Sequence, residues 1–242
     1  MKAELTYIFH NCFILKVREK SFLFDYPADE YLNDDMRALL QNKIAGSDLY
    51  VFSSHNHKDH FNRDVFKLGT HSHTITYILS KDIIKKNRFY RDTPESYNIA
   101  PDQTYFLHGM EVHSFLSNDA GVAFLITVDG VNIYFGGDLA NWDWDGLTVE
   151  EHRFLVDHFA EVLMKLKQWP IDIAFSNTDP RLPNWSGAVQ FIKTIKPKLF
   201  VPMHTFGKTE SLAEFLNQNP QPVPAFFHYQ KTGDSLALEL PF

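Results

Sequence analysis

Four residues able to ligate a metal fall within six positions of this chain. The segment Ser53-Ser54-His55-Asn56-His57-Lys58-Asp59-His60-Phe61 carries the pattern H-x-H-x-D-H. Alternate residues of an extended backbone point the same way, so His55 and His57 can present two neutral imidazoles to one divalent ion. Asp59 and His60 then read as opening the next helix, free to turn toward a second ion. A lone loop histidine is ordinarily just solvated; four candidate ligands this close together argue for a metal.

Two later residues extend the set. Asp138 ends Ile133-Tyr134-Phe135-Gly136-Gly137-Asp138, where an apolar strand runs into two glycines and then a carboxylate. Glycines let a backbone pass close beside an ion, and a carboxylate can bridge two cations and offset their charge, which imidazoles cannot; the plainer reading is a helix cap. His204 ends Phe200-Val201-Pro202-Met203-His204, again at a strand end. Alone it reads equally as a packed core histidine. After the other five it completes a binuclear set.

These residues need strands that end near one another. Short apolar runs at 5–9, 12–17 and 21–24 read as consecutive antiparallel strands. Helical spacing over 30–43 leads into a buried strand at 48–53, directly before His55. Further strands are predicted at 74–79, 105–107, 111–115, 122–128 and 131–135, with Asp129-Gly130 as a hairpin turn, and a short helix at 82–87. The second half continues with a helix over 149–167, a strand at 171–175, a helix at 187–195, a strand at 198–201, a helix at 212–217 and a final strand pair. The Pro-rich stretch 220–224 reads as a loop. Strands then helices, repeated in two halves with no linker between, predict an α+β fold in which two sheets pack face to face with helices on both outer faces. One domain spanning 1–242 fits this better than two.

Composition narrows the chemistry further. Hydrophobic residues make up 44% and charged residues 22% of the chain, ordinary globular usage. The net charge of -7, with no long basic run, disfavours nucleic acid as a partner. No run of about 18 apolar residues suggests a membrane span, no export signal is visible, and Cys12 is the only cysteine, so the expected setting is the cytoplasm and the expected partner a small-molecule substrate. Homo-oligomerisation is left open. Cys12 itself reads as a small buried apolar residue.

In their order and spacing, the six residues resemble the metallo-β-lactamase fold superfamily, which pairs H-x-H-x-D-H with a strand-end Asp and a late strand-end His. The resemblance covers the whole chain and implies a four-layer αβ/βα sandwich binding two divalent ions. The opening His10-Asn11-Cys12-Phe13-Ile14, followed by Phe22-Leu23-Phe24-Asp25, is also similar to the first strands of the branch that includes ascorbate-6-phosphate lactonase. Related proteins place a histidine near the site at the His10 position, where it would support the site or meet substrate.

The pattern breaks at one place. The superfamily usually supplies a further histidine to the first metal from a loop before a Gly-containing strand; here that loop reads Ser117-Asn118-Asp119-Ala120-Gly121. Asp119 is the best oxygen ligand available; the alternatives are His113, upstream within a strand, and a first metal that lacks this ligand. An oxygen in place of nitrogen hardens the site and shifts preference from zinc toward manganese or iron. The cysteine ligand of zinc β-lactamases is missing, and flavodiiron-type oxidoreductases generally carry Glu where His57 stands. The resemblance therefore implies hydrolysis rather than antibiotic degradation or redox chemistry.

Two metal ions about 3.5 to 4 Å apart bring the pKa of a shared water near neutrality and polarise a carbonyl or phosphoryl oxygen, with Asp59 both ligating and orienting that water. Specificity falls to residues outside the ligand set. Trp142 and Trp144 follow Asp138 and could wall a pocket or merely anchor the next helix; Arg181 could fork onto a carboxylate or phosphate or form a surface salt bridge. The leading expectation is hydrolysis of a small ester, lactone or phosphate-bearing metabolite. Phosphodiester cleavage of a nucleotide or phospholipid, and a metal-stabilised binding protein without turnover, are the alternatives.

Overall fold

A computed structural model describes residues 2–87, 93–219 and 225–240. Among these residues the strands form two seven-stranded sheets. In the first, β1 (Lys2–Phe9), β2 (Cys12–Val17) and β3 (Lys20–Phe24) are antiparallel neighbours. From β3 the sheet turns parallel through β4 (Asp48–Ser53), β5 (Thr74–Ser80) and β6 (Ser96–Ile99). The second sheet repeats this plan: β7 (Thr104–Leu107), β8 (Met110–Leu116), β9 (Val122–Val128) and β10 (Val131–Phe135) are antiparallel, then β11 (Ile173–Asn177), β12 (Leu199–Met203) and β13 (Ala225–Phe226) run parallel.

The near-continuous apolar character of these strands follows from burial on both faces. Along β3, Phe22 and Phe24 enter the core between the sheets while Leu23 packs on the outer face. Along β10, Ile133 and Phe135 point inward and Tyr134 outward. The first sheet's outer face is covered by α1 (Asp34–Ile44), α2 (Lys81–Lys86) and a 3-10 segment, Arg63–Thr70, through Leu40, Ile44, Val65, Leu68, Ile83 and Ile84. The second sheet's outer face takes Phe159, Val162 and Leu163, on the helix whose last part is His158–Leu166, together with Phe191 of the helix Ala188–Ile195. Helix, sheet, sheet, helix is the four-layer α+β sandwich expected.

Strand direction decides where the site falls. Because β1 and β3 flank β2 antiparallel to each, β1 ends at the same edge as β3 and β4; by the same step β8 ends beside β10, β11 and β12. All the loops carrying candidate ligands therefore leave one rim of the sandwich. Beneath that rim Phe24 stacks on Phe135 at 4.6 Å and meets Phe175 at 5.0 Å, buried rings each contributing roughly 1.5–3 kcal/mol and locking the two sheets together under the site.

Several local expectations are corrected. The helix predicted over 30–43 divides into a 3-10 turn, Asp29–Tyr31, and α1, because Asn33 caps the latter: its side chain accepts from the Met36 N–H at 2.9 Å. The helix predicted over 149–167 holds a π turn, Arg153–Asp157, between Val149–His152 and His158–Leu166. Asp59 and His60 lie in a turn rather than opening a helix, and the strand expected at 171–175 starts two residues later. Strand β6 was not predicted; its sequence Ser-Tyr-Asn-Ile has little strand character and depends on pairing with β5. The last two strands are not a pair: β13 edges the second sheet, and β14 (Ser235–Glu239) edges the first beside β1. Residues 220–224 lie outside the described residues. Cys12 is fully buried among apolar side chains, as expected.

Candidate metal centre

His55 follows β4, its ring fully buried. Ser54 fixes its orientation. The Ser54 hydroxyl donates to Asp25 Oδ2 at 2.7 Å, so its oxygen is left to accept from His55 Nδ1, 2.9 Å away. Asp25, at the end of β3, also accepts from the Ser54 backbone N–H at 2.7 Å and from His60 Nδ1 at 2.7 Å. On the second sheet Asp179, just beyond β11, accepts from His204 Nδ1 at 2.9 Å. In all three rings the Nδ1 proton is tied to an oxygen behind it, which leaves the Nε2 lone pair facing the centre, the usual arrangement for a ligating imidazole.

Those Nε2 atoms converge on Asp138, which is itself buried. Its Oδ2 lies 3.6 Å from His55 Nε2 and 3.3 Å from His60 Nε2, and its Oδ1 lies 3.6 Å from His204 Nε2. Asn11, from the β1–β2 turn, steadies this carboxylate: Nδ2 donates to Asp138 Oδ1 at 3.4 Å while Oδ1 accepts the His204 N–H at 2.9 Å. His57 and Asp119 complete one side, with His57 Nδ1 3.0 Å from His55 Nε2 and 3.5 Å from Asp119 Oδ2. Candidate donor atoms of His55, His57, Asp119 and Asp138 all lie within 4.8 Å of one another, as do those of His10, His60 and His204. Asp59 Oδ2 sits beside the second group, 3.6 Å from His60 Nε2 and 3.4 Å from His10 Nε2.

The backbone conforms to the site at some cost. Gly137 has φ +51°, and a Cβ there would stand 2.6 Å from Ser54 Cβ; at Gly121, φ +64°, it would stand 2.0 Å from the Ser54 carbonyl oxygen. Both positions need glycine. His10, Asp25, His204 and Phe206 also hold positive φ, a conformation that non-glycine residues adopt where surrounding structure enforces it. Asn118 supplies part of that enforcement: its amide donates to the carbonyls of Ala140 (2.6 Å) and Leu155 and accepts from the Ala140 N–H, tying the Asp119 loop to the segment after Asp138 and to the π turn.

The electrostatics are those of a cation site. Burial opposes charge on every group, yet Asp138 is held well below the usual carboxylate range by His60 and His204, and Asp59 is lowered by its contacts with His10 and His60. Against the same burial, Asp138 and Asp25 raise His60 well above the ordinary imidazole value, and Asp138 and Asp179 raise His204. Burial and the charge of His60 push His55 well below it, and burial takes His10 down to about 3. Burial and neighbouring Asp138 raise Asp119. His60 Nε2 is buried with no hydrogen-bond partner among the described residues, an orphaned lone pair that a metal would satisfy. The donor set, imidazoles with carboxylates, suits zinc, manganese or iron.

Above these groups opens a cleft of about 320 Å³, floored by His57, Asp59, Asp119, Asp138 and His204 and walled by Trp142, Trp144, Leu155, Arg181 and Phe206. Trp142 is buried against Ala140 and Leu182, donates from Nε1 to the Asp138 carbonyl at 2.8 Å and stacks parallel to Trp144. Arg181 is engaged with Asp179, through Nε and Nη2, while its guanidinium lies over Trp144 and Phe206. His10, expected to support the site or meet substrate, is fully buried and is not among the residues that line the cleft. His113, the alternative to Asp119, is engaged with Thr104 and Glu111 on the strand side of β8.

The residues that orient the ligands were not predicted. Asp25 and Asn11 were noted only as parts of a motif, and Asp179 only as a neighbour of Arg181. A carboxylate directly after an apolar strand, as in Phe24-Asp25, is the signal that marks Asp138 too, and it could have singled out Asp25.

A two-sheet sandwich with histidines and aspartates gathered on one rim defines a class of metal-binding α+β proteins. The model of the Beta-lactamase superfamily domain matches residues 4–204, and the chain belongs to that family. No curated protein matches it. Among solved structures it is similar to Igni18, a metallo hydrolase from the archaeon Ignicoccus hospitalis, at 13% identity and TM-score 0.67 over 100% of both chains. YhfI from Bacillus subtilis, a metallo-beta-lactamase fold protein, is 14% identical with TM-score 0.65, covering 98% of this chain and 99% of that one. CmlA, a diiron beta-hydroxylase from Streptomyces venezuelae, is 12% identical with TM-score 0.60, covering 98% of this chain and 54% of the other. At these identities the likeness is one of fold. Among the described residues no helix is long and apolar enough to cross a membrane.

Proposed function

We propose that the protein is a metal-dependent hydrolase acting on a small ester, lactone or phosphate-bearing metabolite. The observation that carries this is the tethering of His55, His60 and His204 through Nδ1, with all three Nε2 atoms turned to Asp138. His55, His57, Asp119 and Asp138 would hold one divalent ion, and Asp59, His60, Asp138 and His204 the other. When bound, such ions supply a nucleophilic water at neutral pH and polarise the substrate oxygen. Asp119 in the histidine's usual place favours manganese or iron over zinc.

The chain's own residues define what enters. Trp142, Trp144, Leu155 and Phe206 offer an apolar wall for the substrate's carbon skeleton. Arg181 is half exposed, and Nη1, the edge turned away from Asp179, is where a carboxylate or phosphate would dock; Lys208 lines the adjoining hollow with it. This basic pair beside an apolar wall supports an anionic, partly apolar metabolite, and the likeness of the His10–Ile14 segment to the lactonase branch places lactones first. Manganese-loaded protein should hydrolyse at least one of a panel of anionic lactones, carboxylic esters and phosphodiesters, and His57→Ala should not. Inertness toward all three classes with metal bound would leave a binding protein in place of an enzyme.

A further inference from the structure

His10 stands among the metal-binding histidines, and by distance alone it belongs with His60 and His204 as a ligand. Its hydrogen bonding says otherwise. The backbone N–H of Phe206 donates to His10 Nδ1 at 3.2 Å, so Nδ1 carries the lone pair and the ring proton must sit on Nε2. This is the reverse of His55, His60 and His204, whose Nδ1 atoms face oxygens. A protonated Nε2 has no lone pair to give a metal. The backbone amide cannot exchange its donor role, and the ring is held in place against Phe206, with centroids 3.9 Å apart. Ligation through Nε2 would move the proton to Nδ1 and set two N–H groups against each other.

We infer that His10 is a positioning residue, not a ligand: its Nε2–H is directed at Asp59 and holds that carboxylate over the second metal position. Nε2 is buried, has no other hydrogen-bond partner among the described residues, and faces Asp59 Oδ2 at 3.4 Å. The separation is long for a hydrogen bond, and Asp59 belongs to a turn rather than to a regular element, so a small movement of the carboxylate closes it. The arrangement explains why a fully buried histidine sits beside an aspartate that the cleft exposes: the ring is the fixed partner and the carboxylate the adjustable one. Its consequence for the metal rests on the ligand role proposed for Asp59; the ring's tautomer does not.

The test is a long-range ¹H–¹⁵N spectrum of histidine-labelled protein, metal-free and zinc-loaded, with the His10 signals identified by their loss in His10→Gln. The expected pattern is an unprotonated Nδ1 and a protonated Nε2 in both states. A zinc-loaded spectrum with the proton on Nδ1 and a zinc-shifted Nε2 would overturn the inference. Zinc titration adds a second readout: His10→Leu should keep both zinc ions but weaken one by about 10-fold, the scale seen when a ligand's supporting partner is removed, and His10→Gln, which restores an N–H near the Nε2 position, should recover most of it. Loss of one zinc outright in both variants would mark His10 as a ligand. Should wild-type protein take up neither zinc nor manganese, the proposed hydrolase would fall while the metal-free spectrum still decides the tautomer.

Discussion

The two halves of the centre are built to different standards. His60 and His204 are buried, and each is tied by Nδ1 to a carboxylate that is buried in turn, Asp25 for one and Asp179 for the other. His57 and Asp119 are 50% and 41% exposed, and the contact that His57 Nδ1 makes with Asp119 lies inside the centre rather than behind it. One half is therefore pre-organised by the core, whereas in the other only His55 is, and the exposed pair His57 and Asp119 has no buried partner behind it, the Asp119 loop being tied down in part by Asn118. The difference teaches where change would be tolerated: the exposed pair could exchange a nitrogen ligand for an oxygen, the exchange proposed for Asp119, because no buried partner fixes either side chain.

Breaking the buried half should have the largest effect. Asp25→Ala leaves the Ser54 N–H, the Ser54 hydroxyl and His60 Nδ1 without their acceptor, and removing one partner of a buried pair costs about 3–5 kcal/mol. Urea unfolding should show that loss together with loss of metal. A change below about 1 kcal/mol would mean the buried half is no better organised than the open one.

At the open half the effects should separate. His57→Ala should remove one of the two bound ions while changing stability by less than about 0.5 kcal/mol, the usual range for exposed substitutions; unfolding curves and elemental analysis on the same sample would show it. Unchanged metal content would remove His57 from the centre.

Asp119→Asn is the finest probe of the contrast. Keeping shape but losing charge, it should weaken one of two bound ions by at least about tenfold, the scale at which even supporting partners act, and leave the other untouched in a manganese titration. Asp119→His should turn preference toward zinc. Equal weakening of both ions would mean that the halves are not independent.

How much was legible in the sequence follows the same divide. Candidate ligands strung along the chain at strand ends, His55 through His60, Asp138 and His204, stand out in the sequence because each motif is local, and the structure brings them to one rim. The roles of the residues behind them could not be read: Phe24-Asp25 marks a strand-end carboxylate, but Asp25 reaches His60 only once β3 pairs with β4, and Asp179 reaches His204 only once β11 pairs with β12. His10 shows the limit most sharply: its role depends on a backbone N–H from Phe206, 196 residues away. The π turn that brings Leu155 to the cleft breaks an otherwise regular helical pattern and leaves no trace in it. The sandwich itself is readable, since near-continuous apolar runs on doubly buried strands and the order of strands and helices survive without knowledge of contacts.

The central claim is that Asp138 stands between two metal ions. Crystals of the protein grown with manganese and measured near the manganese absorption edge would test it most directly. The account predicts two anomalous peaks flanking the Asp138 carboxylate, about 3.5–4 Å apart, one beside His55, His57 and Asp119 and the other beside Asp59, His60 and His204. A single peak remote from Asp138, or none at full manganese loading, would contradict it.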